Sequence, residues 1–123
     1  MDVKVVDASA LAALLFGEAE AVAARLGDAR LAAPALLGFE LARVCLMKAR
    51  RHPEQRALLA AAFRLRTRLA VAETAVDHDG ALELASATGV TAYDASYVWL
   101  ARALGAELVT LDRQLGAAAL AAR

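Results

Sequence analysis

Four acids in this chain stand where they could do chemistry together: Asp7, Glu40, Asp94 and Asp112. Asp7 follows the β-branched run Val3-Lys4-Val5-Val6, and Asp112 follows the run Glu107-Leu108-Val109-Thr110-Leu111. Asp94 lies three residues after Thr91, a good helix N-cap, and Glu40 lies early in a long helical pattern. Each acid alone is explained by helix capping or by the positive end of a helix dipole. Capping does not explain why two separate strands both end in Asp. If the four meet, like charges raise one another's pKa and strain the fold. Helix N-termini offset this by only ~0.3–1 kcal/mol each. A divalent cation resolves the conflict, and oxygen-only ligands select a hard ion, Mg²⁺ or Mn²⁺. Such a site suits phosphodiester hydrolysis by a metal-activated water, with a second ion on the leaving 3′ oxygen as a further option.

The elements that must position these acids can be read in order. Val3–Val6 predicts a strand. Residues 8–16 form an apolar helix stopped by Gly17, and Glu18 to Leu26 form a second helix closed by Gly27-Asp28. Leu31-Ala32-Ala33 is a weak strand candidate, and Pro34 fits just before or at the start of a helix expected over 35–51. His52-Pro53 breaks that helix, and another is expected over 54–69. A strand over 71–76, a helix over 79–88 ended by Gly89, and a helix over 92–104 ended by Gly105 follow. The last strand is expected over 107–111, and a final helix over 113–122 is interrupted by Gly116. Strands alternating with helices predict an α/β domain with a mostly parallel sheet. Ligands of such sheets bind outside the carboxyl ends of the strands, where Asp7 and Asp112 are expected.

Composition narrows the classes. The chain has 123 residues, enough for one domain with a buried core, here taken as 1–123. Its 60% hydrophobic content, much of it alanine, favours helices. No charge-free apolar run is long enough to span a membrane, and Met1-Asp2-Val3-Lys4 does not resemble a signal peptide. The single cysteine, Cys45, excludes an internal disulfide and suits a reducing cytoplasm. One cysteine with two distant histidines, His52 and His78, argues against zinc. Net charge is zero, but its distribution is uneven. From Lys48 to Arg68 there are seven basic residues and one acid, Glu54. That stretch is either a solvated helix face or an edge that attracts phosphates.

Four segments then resemble one known family. Val5-Val6-Asp7-Ala8-Ser9, Phe39-Glu40-Leu41-Ala42, Thr91-Ala92-Tyr93-Asp94-Ala95-Ser96-Tyr97 and Leu108-Val109-Thr110-Leu111-Asp112 resemble the ordered signatures of PIN-domain ribonucleases. The resemblance covers essentially the whole chain, and the wording around Asp94 is most similar to VapC toxins of bacterial type II toxin–antitoxin systems. It implies an α/β three-layer sandwich with a short, mostly parallel sheet. It implies a cytoplasmic Mg²⁺- or Mn²⁺-dependent endoribonuclease in which Asp7, Glu40, Asp94 and Asp112 are catalytic and hold the metal. Ser9 and Thr110 become hydroxyls that orient the carboxylates or water. Arg43, Lys48, Arg50 and Arg51 become candidates for RNA-phosphate contacts. The implied partners are RNA, a cognate VapB-like antitoxin and a second copy of the chain in a homodimer. Two departures stand out. The short strand that commonly ends such chains is absent, and Arg113-Gln114-Leu115-Gly116 carries no further acid after Asp112.

Rival chemistries fit less well. A phospho-acceptor receiver domain needs a Lys after a late strand, and the lysines here are Lys4 and Lys48. An Asp-x-Asp phosphatase needs an acid where Ser9 stands. The better alternative is a non-catalytic interaction module that retains the acidic fold. The charge-free stretch 8–16, with Leu11, Leu14, Leu15 and Phe16, is expected to leave apolar surface for a partner such as an antitoxin tail.

Overall fold

The structure, a computed structural model, describes residues 2–17 and 19–121. Four strands form a single parallel sheet: β1 (Val3–Val6), β2 (Arg30–Pro34), β3 (Ala72–Thr74) and β4 (Glu107–Val109). Their spatial order is β3-β2-β1-β4, with Val5 opposite Ala32 on one side and Leu108 on the other. Val5 and Val6 are both fully buried although they point to opposite faces, so the sheet is covered on both sides. Among the described residues, seven α-helices do the covering: α1 (Ala8–Phe16), α2 (Ala19–Leu26), α3 (Leu37–Arg51), α4 (Arg56–Arg64), α5 (His78–Thr88), α6 (Ala92–Leu104) and α7 (Arg113–Ala121). This is the expected α/β three-layer sandwich.

The strand order explains the layers. The chain steps from β1 to β2 to β3 in one direction, then returns to place β4 on the far side of β1. Right-handed crossovers put α1–α4 on one face and α5–α6 on the other. Accordingly α1 packs on α2, α3 and α4, while α6 packs on β1, β2 and β4. The reversal puts the topological switch point, where ligands of such sheets bind, at the carboxyl ends of β1 and β4.

Several boundaries differ from expectation. Pro34 precedes the helix but is itself the last residue of β2, opposite Thr74, and α3 begins at Leu37, two residues later than the expected Ala35. A terminal strand position tolerates the missing N–H. The helix expected over 54–69 is divided. Pro53–Gln55 is a 3₁₀ turn, α4 ends at Arg64, and a second 3₁₀ segment covers Leu65–Leu69 before Ala70 turns left-handed at φ 51°. Asp77, not anticipated as a cap, caps α5 by accepting from the Asp79 N–H. Gly116 does not interrupt α7. The last strand stops at Val109, so Asp112 lies three residues past its end. Glu18, Ala122 and Arg123 lie outside the described residues.

The apolar stretch 8–16 is mostly covered by its own fold. Leu11 is in the core, and Leu14 and Phe16 lean on it, half-buried like Leu15. The barest apolar side chains lie elsewhere, with Phe39, Leu58, Tyr93, Leu120 and Leu82 all more than half exposed. Among the described residues, no helix is long and apolar enough to cross a membrane.

Candidate active site

The switch point is built first around Asp7. The extended backbone at Asp7 lets its carboxylate turn back and cap α1, and Oδ1 accepts from the Ala10 N–H at 3.0 Å. The Ser9 hydroxyl donates to the same oxygen at 2.7 Å, and the Thr110 hydroxyl donates to Oδ2. Each hydroxyl in turn accepts from a backbone N–H: Leu111 N–H donates to Ser9 Oγ at 2.9 Å, and Asp112 N–H to Thr110 Oγ1 at 3.0 Å. The proton count is therefore closed. With their lone pairs engaged by the backbone, both hydroxyls have their own protons free for Asp7. Asp7 is buried, and three donors fix both of its oxygens.

This network also ends β4. The Thr110 side chain is turned inward to Asp7, and its carbonyl accepts from the Arg25 guanidinium at 3.0 Å. Thr110 thus leaves the ladder. Asp112 then caps α7, with Oδ1 accepting from the Leu115 N–H at 3.1 Å.

The second half of the site lies between α3 and α6. Glu40 is in the first turn of α3 and Asp94 in the first turn of α6. Thr91 is the α6 N-cap, accepting from the Asp94 N–H at 3.1 Å, so the Asp94 carboxylate is not consumed by capping. The Tyr97 phenol, one turn beyond Asp94 and almost wholly buried, donates to Glu40 Oε1. Tyr97 was not among the expected site residues. A phenol on the apolar face that follows Asp94 was the available signal, because a buried phenol needs an acceptor.

Electrostatics joins the two halves. Burial holds the Glu40 carboxyl above its usual range, the Tyr97 hydrogen bond opposes this, and the charges of Asp94 and Asp7 add to it. Burial likewise raises Asp94, with the charges of Asp112 and Asp7 adding and the Thr91 hydroxyl opposing. The Tyr97 phenol is pushed well above its ordinary range, first by burial and then by Glu40. Thus Asp7 and Asp94 each act on acids from the other segments. Four carboxylates from four elements share one field.

The donor set suits a hard divalent cation, since it contains only oxygen. Among the described residues, no three Asp, Glu, His or Cys side chains converge closely enough to cage an ion as they stand. An ion held here would keep part of its water shell, as Mg²⁺ usually does with few carboxylates. The basic candidates lie along α3. Arg43, Lys48, Arg50 and Arg51 are all exposed, and the Arg43 charge reaches Glu40. Ser9 and Thr110 lie against Asp7 as described.

The chain is thus an α/β fold with a parallel sheet and acids at its switch point. The PIN domain family matches residues 4–120. The fold is similar to the crystal structure of PAE2754 from Pyrobaculum aerophilum, with a TM-score of 0.75 and 34% sequence identity. That likeness covers 96% of this chain and 87% of the other. No curated protein matches the chain. The chain belongs to the PIN domain family, whose members are generally nucleases that use divalent metal ions.

Proposed function

We propose that this protein is a Mg²⁺- or Mn²⁺-dependent endoribonuclease acting in the cytoplasm as the toxin of a VapC-type toxin–antitoxin pair. The observation that carries the catalytic reading is the shared field of Asp7, Glu40, Asp94 and Asp112 at the switch point. Repulsion of this kind stores instability that a cation relieves. Asp7, Asp94 and Glu40 would hold the ion, with Asp112, whose charge acts on Asp94, as the route to a second. When bound, such an ion lowers the pKa of a water and polarises the phosphoryl oxygen. The chain's own part is positional. Ser9 and Thr110 fix Asp7, Tyr97 fixes one oxygen of Glu40, and Arg43, whose charge reaches Glu40, would meet a phosphate brought to the acids.

The toxin reading rests on the Tyr93-Asp94-Ala95-Ser96-Tyr97 wording and on surface. Half-buried Leu14, Leu15 and Phe16, at the end of α1 away from Asp7, leave some apolar surface for an antitoxin tail, and a basic residue further along that tail would neutralise the acids. Exposed Leu82, Leu104 and Leu120 offer separate surface for a homodimer.

The test is cleavage of single-stranded RNA in Mg²⁺ or Mn²⁺ and in EDTA. Asp7→Asn and Asp94→Asn are each expected to lose about 10²–10³-fold in rate, the scale of removing one transition-state-stabilising group. Full activity of a well-folded Asp94→Asn variant would overturn the reading in favour of a non-catalytic module.

A further inference from the structure

The chain has six aromatic residues, and only two of them are exposed. Phe39 is 82% exposed and Tyr93 is 68% exposed. Each stands directly before an acid of the site, Phe39 before Glu40 and Tyr93 before Asp94. Tyr97, one turn after Asp94 on α6, donates to Glu40 Oε1 on α3, so the two helix starts that carry the rings converge on the same place. A single exposed aromatic needs no explanation. Confinement of the exposed rings to the two positions flanking coupled acids does.

The α3 surface continues the pattern. At about 100° per residue, Phe39, Arg43, Leu46, Met47 and Arg50 lie on one side of the helix, and all are exposed. Lys48 falls about 140° away from Arg43 and is not on this face. Ring, cation, apolar side chains and cation therefore follow one another away from Glu40, over about 16 Å from Phe39 to Arg50. Cationic tracks interleaved with flat apolar groups bind single strands, because unstacked bases offer their faces while phosphates seek the arginines. A duplex keeps those base faces to itself.

We propose that Phe39 and Tyr93 are base-stacking platforms on either side of the acids, and that Arg43 and Arg50 carry the phosphates of the same single strand along α3. The substrate class is then single-stranded RNA with unstacked bases at the scissile phosphate. The proposal rests on the nuclease reading for its location, but it is tested by binding.

The experiment uses the full chain carrying Asp94→Asn, in millimolar Mg²⁺, with a single-stranded RNA oligonucleotide containing 2-aminopurine and with the duplex of the same sequence. Binding of the single strand should quench the 2-aminopurine fluorescence. Phe39→Ala and Tyr93→Ala should each weaken binding roughly five- to hundredfold and reduce the quench, the range expected for one lost stack. Phe39→Tyr and Tyr93→Phe should restore both. Arg43→Gln should weaken binding and flatten its salt dependence, leaving the quench at saturation intact. Both rings are on the surface, so the alanine variants should melt with the parent. The proposal is overturned if the double alanine variant binds within twofold of its parent, or if the duplex binds as well as the single strand. It is also overturned if the alanine changes shift the oligomeric state on gel filtration instead, which would make the rings a protein interface. A chain that binds single strands through the rings but never cleaves in metal would refute the nuclease reading and leave the stacking platforms standing.

Discussion

Asp7 and Asp94 are acids of one site held in opposite ways. Asp7 is buried at the end of β1, with one backbone N–H and two hydroxyls on its oxygens, each hydroxyl oriented by a backbone N–H of the 111–112 turn. Asp94 is half-buried, its capping duty is taken by Thr91, and its strongest influences are loss of water and the charges of Asp112 and Asp7. The Asp7 half is built before any ligand arrives. The Asp94–Glu40 half carries an unrelieved electrostatic cost that an ion, a proton or a basic partner can remove. The difference teaches that one carboxylate provides a fixed reference and the other provides the response.

The largest test of that contrast is metal itself. Mg²⁺ should raise the melting temperature of the wild-type chain, because it binds the native state alone. At a hundredfold excess over its dissociation constant the gain is about 2.7 kcal/mol. Asp94→Asn should lose most of this gain. A melting curve unchanged by millimolar Mg²⁺ would break the idea of a responsive half.

Next comes Thr110→Val, which removes the donor from Asp7 Oδ2 while keeping shape. A buried acceptor stripped of its partner costs about 1–3 kcal/mol. Denaturation of the metal-free variant should show that loss. Metal-free Asp94→Asn should instead be no less stable than wild type, because it removes a repelling charge. Equal losses in the two variants would erase the distinction between the halves.

The smallest effect is in pH. Glu40 and Asp94 have folded-state pKa values above their ordinary values of 4.5 and 3.8. Between the ordinary and the raised values the folded chain binds more protons than the unfolded one, so stability falls as pH rises through that window. The contribution is fully present below the ordinary values and is lost above the raised ones. In EDTA, wild type should therefore lose more stability than a Glu40→Gln/Asp94→Asn chain as pH rises from mildly acidic towards neutral. Parallel pH profiles would show that the two carboxyls bear no excess strain.

Local sequence signals placed most of what carries the acids. Val3–Val6, residues 8–16 and residues 92–104 have the boundaries expected of them, because a β-branched run and glycine stops act within a few residues. Gly105 ends α6 in the left-handed region at φ 58°, a conformation glycine adopts without cost. The four acids could be singled out as candidates for the same reason, since each stands at a helix start. What the sequence could not decide depends on residues far apart in the chain. One exception is local: helical periodicity over 54–69 does not reveal the break at Leu65, where Arg66 folds back to the Phe63 carbonyl and lies 3.9 Å over the Phe63 ring. The end of β4 is set by Arg25 and Asp7, 85 and 103 positions from Thr110. The Tyr97–Glu40 bond spans 57 positions. Exposure is likewise a property of the assembled fold. The charge-free stretch 8–16 was expected to leave apolar surface bare, yet its neighbours cover most of it, while Phe39, turned about 200° from buried Leu37 on α3, and Tyr93, in the first turn of α6, are bare. Residue type and short-range order thus determined the elements and the chemistry they carry. Which hydroxyl faces which carboxylate, and which ring faces water, was decided by the sheet order that brings β4 back beside β1.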